Sequence, residues 1–195
     1  MQSRHELCEP GLRALIRADL NAMSEGRSIN APRIIARLAL HARWRAVVVW
    51  RIANAGMRAP LTKPIALWLA DRMLSMSGAE LQPGASIGPG LVLKHTTGLV
   101  VGREVIAGAR LTLHQNVTIG DKHPFGGQPV LGDDVTIGAG ACVLGPIEVG
   151  DRVTVAANAV VTEAVPSDCV VAGIPARIVR HREAPAALHV VGGNK

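Results

Sequence analysis

Between Val101 and Val165 an apolar residue returns at every sixth position, first at Val101, Ala107, Leu113 and Ile119 and then at Leu131, Ile137, Val143, Val149, Val155 and Val161. Four places after most of these stands a second small or branched apolar residue, at Val105, Leu111 and Val117 and at Val135, Ala141, Ile147, Val153, Ala159 and Val165. Glycine or a small polar residue fills most turn positions between them. A period of six matches neither the helical repeat of about 3.6 nor the alternation of about two in a long strand. It predicts a parallel β-helix of hexapeptide repeats, in which short strands meet at tight corners and stack their apolar residues inside a prism.

The beat already runs at Leu81, Ile87 and Leu93, then slips, because the next inward residue in step with the later series is Val101, eight positions on. Two extra residues must bulge at a corner, and His95 lies within that bulge, in Lys94-His95-Thr96-Thr97-Gly98. Residues 121–129 carry no repeat pattern and are predicted to form a loop extruded from the prism, a place where solenoids commonly build a binding face. Ahead of the prism, residues 31–57 read as one helix: Pro32 suits a first turn, Ile34, Ile35, Leu38, Leu40, Trp44, Val47, Val48 and Ile52 recur at helical spacing, and Gly56 lies at the end. A second helix is predicted over about residues 64–76. The expected organisation is an α-helical region over 1–79, a β-helix over 80–180 and a tail over 181–195 with no assigned role.

Composition narrows the function classes. With 48% apolar and 18% charged residues in 195, the chain reads as folded and globular. It has no Tyr and a single Phe, Phe125, so modules that stack exposed bases on aromatic rings are not expected, nor is a nucleic-acid partner. The formal charge of +6 is uneven: residues 1–80 hold 12 Lys and Arg against 6 Asp and Glu, and residues 81–195 hold 9 against 9. Arg33, Arg37, Arg43, Arg45, Arg51 and Arg58 interleave with the apolar positions of the first helix, which reads either as helix packing with the charges outward or as a basic face on an anionic membrane surface. Cys8, Cys142 and Cys169 lack the spacing of a disulfide framework or a zinc site. The first thirty residues carry Glu6, Glu9, Asp19 and Glu25 and lack the apolar core of a secretory signal, so a cytoplasmic protein is the expectation.

Several segments together resemble the hexapeptide-repeat acyltransferases, and within them the serine O-acetyltransferase branch. They are residues 93–102 (LKHTTGLVVG), 117–120 (VTIG), 135–141 (VTIGAGA), 144–150 (LGPIEVG) and the closing Ala172-Gly173-Ile174-Pro175-Ala176-Arg177. The resemblance implies a left-handed parallel β-helix assembled as a homotrimer, with active sites in clefts between prisms; pairing of trimers through the helical region stays open. It implies acetyl-CoA as co-substrate and no metal. By the same resemblance His95 matches the general base that takes a proton from an acceptor hydroxyl, a task suited to an imidazole titrating near neutrality. Glu80, fifteen residues earlier, stands where the family has an aspartate that orients this ring; it could instead cap or solvate the junction. Gly120, Ala139, Ala157 and residues 172–176, including Ala172, Gly173 and Pro175, match small positions beside the pantetheine, and Arg177 or Arg180 could meet a phosphate of the nucleotide end.

Departures from the serine branch concern the acceptor. Lys94 stands where the serine enzymes have an aspartate, and their loop arginine and histidine align with Gly127 and Gln128, with His123 nearby in a shorter loop. Lys94, His123 and Gln128 are therefore the candidate acceptor contacts, and the acceptor hydroxyl is either L-serine's or that of a sugar or polysaccharide precursor. The final residues lack the terminal isoleucine by which serine acetyltransferases dock the cysteine-forming enzyme, so that partner is not expected. His114 and His123 read as surface histidines or as cleft residues. A non-catalytic trimeric scaffold and a carbonic anhydrase-like protein are the competing readings; the first needs no bulge histidine and the second needs a histidine set for zinc.

Overall fold

A computed structural model describes residues 10–25 and 30–182. Cys8 and the apolar patch near the C-terminus lie outside these residues. Among these residues fourteen two- to four-residue strands wind into five coils, each contributing to three parallel sheets, here A, B and C, that form the faces of a prism. The first coil holds β1 (Ala79–Leu81), β2 (Ser86–Ile87) and β3 (Val92–Leu93), and the second β4 (Leu99–Val101), β5 (Ile106–Ala107) and β6 (Thr112–Leu113). The third holds β7 (Thr118–Gly120), β8 (Val130–Leu131) and β9 (Thr136–Ile137), and the fourth β10 (Cys142–Leu144), β11 (Glu148–Val149) and β12 (Thr154–Val155). The fifth starts with β13 (Val160–Val161), touches sheet B through a bridge from Val165 to Val149, and ends in β14 (Cys169–Ala172), against which β15 (Arg177–His181) folds back antiparallel.

The hexad residues are the inside of this prism. Every residue of the first series from Leu81 to Val161 is buried, and of the second series only Ile147 is partly exposed. Each face takes two inward side chains, a residue of the second series and, two positions on, one of the first, so the six-residue beat is the path length from one face to the next. Both phase slips appear in the register. Val130 pairs with Glu148 eighteen residues on, but Glu80 pairs with Val100 twenty on, across the His95 bulge. Ile106 pairs with Val130 at a step of 24, the six extra residues being spent in the extruded loop between β7 and β8.

Corners need backbone that turns the wrong way for most residues. At the C/A edge the left-handed conformation falls to Gly98, Asn116, Gly140 and Asn158, and at the B/C edge to Gly90, Arg110, Asp134, Arg152 and Asp168. Glycine and asparagine alternate on the C/A edge for a steric reason: a Cβ on Gly98 would strike the Asn116 side chain, and one on Gly140 that of Asn158. On the B/C edge the charged residues pair between coils, Arg110 with Asp134 and Arg152 with Asp168, each at 2.5 Å.

Among the described residues four helices precede the prism: α1 (Leu12–Met23), α2 (Ala31–Leu40), α3 (Ala42–Gly56) and α4 (Lys63–Ser77). The single helix expected over 31–57 is thus two, broken at His41, whose backbone is extended (φ −119°, ψ 115°). No proline or glycine causes the break. Arg45 reaches back instead, its Nη1 donating to the carbonyls of Leu38 and Ala39 at 3.0 and 2.7 Å, so a side chain satisfies the exposed end of α2. Asn30 caps the other end by accepting from the Arg33 N–H at 3.2 Å.

Arg51 also departs from the outward-charge expectation: it is 3% exposed and forms a two-pronged pair with Asp19 of α1, itself fully buried. Its remaining donors reach the carbonyls of Ile87 and Gly88 at 2.6 and 2.7 Å, while Asp19 Oδ1 accepts from the N–H groups of Gly90 and Leu91, both at 2.8 Å. This cluster fastens two helices to the first B/C corner.

Candidate functional site

The bulge between β3 and β4 is held from both sides. Gly98 N–H donates to the carbonyl of Gly78, the left-handed residue ending α4, at 2.9 Å, and the Thr97 carbonyl accepts from Asn116 N–H at 2.9 Å. Thr96 is buried beneath and His95 is exposed at the tip. Lys94 precedes it with its N–H bonded to the Leu113 carbonyl at 2.8 Å, which sets Lys94 one coil below His114.

The C/A edge then ascends from the bulge past His114, Ala139 and Ala157 to Gly173. Asn158 N–H donates to the Ala139 carbonyl at 2.8 Å and Val160 N–H to the Gly173 carbonyl at 3.0 Å, so these are successive corners of one column. At about 4.8 Å per coil the four steps from His95 to Gly173 span roughly 19 Å. Ala139 and Ala172 are half-buried and Ala157, Gly173 and Pro175 exposed, so the backbone of this edge is open to an elongated ligand. Arg177 lies at its far end, exposed, with Nη1 3.4 Å from Glu163.

The other predicted residues lie elsewhere. Gly120 ends β7 at the A/B edge, where a Cβ would meet nothing within 4 Å, and His123 stands exposed in the loop that follows. Gln128 closes that loop with its Oε1 accepting from Glu104 N–H at 2.9 Å, so its amide braces a corner. Glu80 Oε1 accepts from Gln82 Nε2 at 2.9 Å, and no hydrogen bond joins Glu80 to His95. Within one chain the predicted residues thus divide between two edges: His95, Lys94 and the small-residue column on C/A; Gly120, His123 and Gln128 on A/B.

Reasoning from the sequence missed the contribution of the helix break. His41 and Arg43, at the start of α3, line an open depression of about 450 Å³ with Lys94, His95, Thr96 and Thr97. Arg43 Nη1 approaches the Lys94 carbonyl at 3.5 Å, and Lys94 Nζ pairs with Glu25 at 3.1 Å. The imidazole of His114 is held below its ordinary pKa, first by burial and then by the charges of Lys94 and His95, which places the three groups in one electrostatic neighbourhood. Among the described residues no three of His, Cys, Asp and Glu converge in a way that could hold a metal ion.

The model of the family described as bacterial transferase hexapeptide (six repeats) matches residues 128–163. The structure superposes on the crystal structure of serine acetyltransferase from Brucella abortus strain S19 with a TM-score of 0.76 and 32% identity, over 86% of this chain and 68% of that one. The chain belongs to the hexapeptide-repeat serine acetyltransferase family. Its prism is accordingly a left-handed β-helix. The soybean serine acetyltransferase apoenzyme gives a TM-score of 0.77 at 34% identity, covering 88% of this chain and 70% of that one. A coenzyme A complex of the Brucella abortus enzyme gives 0.77 at 31%, covering 88% and 68%. Among curated relatives, the serine acetyltransferase of Synechococcus elongatus is 38% identical over 64% of this chain and 57% of its own length. Serine acetyltransferase 2 of Arabidopsis thaliana is 33% identical over 90% and 54%. The chain thus spans little more than half the length of these curated members of the family.

Proposed function

We propose that this chain is an acetyl-CoA-dependent O-acetyltransferase that moves an acetyl group directly to a hydroxyl of a small acceptor. The observation that carries the reading is the C/A edge, which sets an exposed imidazole, His95, at the foot of a column of small residues leading to Arg177. In this reading the thioester lies at His95, the pantetheine along Ala139, Ala157 and residues 172–175, and a phosphate of the nucleotide end near Arg177. His95 accepts the acceptor's O–H proton as the oxygen attacks the thioester carbonyl. The C–S bond of the resulting tetrahedral species then breaks, and the departing CoA sulfur takes the proton from the imidazolium.

The active unit is proposed to be a homotrimer. Association about a three-fold axis lays the A/B edge of one copy against the C/A edge of the next, which unites Gly120, His123 and Gln128 with His95. Glu80 is proposed to orient the ring through its second oxygen. His95→Ala should lower kcat by about 10²- to 10⁴-fold, the usual worth of a positioned base, while coenzyme A binding persists. Free-thiol release with L-serine, L-homoserine, sugars and nucleotide sugars measures this, and full turnover by the variant rejects His95 as the base.

A further inference from the structure

Resting on that reading, the geometry points to an acceptor that carries an anionic group, a phosphate or a carboxylate, and no ammonium beside the hydroxyl that is acetylated. The depression next to His95 is walled by two cations, Arg43 and Lys94, and by the imidazole of His41. Among the described residues the carboxylate paired with them is Glu25, 64% exposed, which takes one of the three donors of Lys94. The first turn of α3, which opens on this depression, contains no acidic residue and has no side-chain cap at His41. Its backbone N–H groups and the dipole of a fifteen-residue helix therefore add to the same positive field. His114 stands one coil above Lys94, on the same side of the depression.

A cationic wall repels an ammonium and rewards an anion. Arg43 offers a planar fork and Lys94 a mobile point charge, a combination that suits tetrahedral phosphate or planar carboxylate oxygens. Thr96 and Thr97 complete the lining of the same depression. The acceptor class is thus a phosphorylated or uronic sugar, or another anionic hydroxy compound without an ammonium, in preference to a neutral sugar or an amino acid.

Two measurements test this. Initial rates are compared for matched acceptors, a neutral hexose, its phosphate, its uronic acid and L-serine, using wild type, Lys94→Gln and His95→Ala. The ratio of kcat/KM for the anionic over the neutral acceptor should exceed tenfold in wild type and fall by about tenfold or more in Lys94→Gln, the usual effect of removing one charge-assisted contact. Separately, inorganic phosphate is titrated into both proteins while the imidazole resonances of His41, His95 and His114 are followed by histidine-selective labelling. Saturable shifts in wild type that vanish in Lys94→Gln support the anion site. Turnover of a neutral acceptor or L-serine that needs His95 but ignores Lys94, with no phosphate response, overturns the anion site and leaves acetyl transfer standing. A phosphate response without turnover of any acceptor has the reverse meaning.

Discussion

Asp19 and Arg51 show how much one buried pair can be asked to hold. Both side chains are removed from water, and between them they satisfy two backbone N–H groups and two carbonyls of the first B/C corner. Removing one partner leaves the other charge buried without its counterion, which costs about 3–5 kcal/mol. Asp19→Asn and Arg51→Met should each lower the urea midpoint accordingly. The paired replacement Asp19→Leu with Arg51→Met should cost less than the sum, because no lone charge remains, yet it should not recover the wild-type midpoint, because the N–H groups of Gly90 and Leu91 lose their acceptor. Full additivity would mean that the two residues act independently. The sequence hides this pair: a lone Asp among the arginines of a basic segment looks like surface, and only the docking of α1 on α3 turns both inward.

At the scale of the element, the corners are more informative than the strands. The ladder Arg110–Asp134 and Arg152–Asp168 ties coils together outside the prism, and the arginines hold both carboxyls below the usual carboxylate range, chiefly by side-chain hydrogen bonds. Since the folded values lie below the unfolded ones, the ladder's contribution is complete above the ordinary carboxylate pKa of about 3.9 and disappears as pH falls through the folded values. Stability measured by urea at pH 5 and at pH 3 should therefore drop more for wild type than for Arg152→Gln, and an equal drop would deny the ladder a role. These pairs are exposed, so salt should weaken them. The hexads, the bulge and the extruded loop were legible because every coil makes the same demand on its inward residues, and any insertion shifts the phase. The break at His41 was not legible, since the apolar spacing from Ile34 to Ile52 runs straight through it and the Arg45 guanidinium that satisfies the end of α2 carries no signal of that role in the spacing. Helix α1 could have been found from Leu12, Leu15, Ile16, Leu20 and Met23, which recur at helical spacing.

Taken as a whole molecule, one chain leaves its candidate site unfinished. The ring of His95 lacks a hydrogen-bond partner among the described residues, Glu80 is turned to Gln82, and Gln115 Oε1, beside His114, is buried without a partner. The extruded loop, with Phe125 fully exposed and His123 near it, leaves the prism at the wrong edge to reach its own bulge. A buried amide oxygen without a donor costs about 1–3 kcal/mol, so a neighbour that supplies one is favoured. The motif spacing could identify His95 and this loop as separate irregularities, but the edge on which each lies follows from the path of the coils. If copies associate edge to edge, the native mass in solution should be three times that of the chain, and dilution below the dissociation constant should abolish turnover. Mixing His95→Ala with a variant whose loop residues His123 and Gln128 are both replaced by alanine makes the arrangement decisive. Mixed trimers contain clefts in which an intact His95 faces an intact loop from another copy, so part of the activity lost in each variant should return on mixing after partial dissociation. Absence of any recovery from a mixture shown by mass to have exchanged subunits would place the loop and the base of a single chain in the same site.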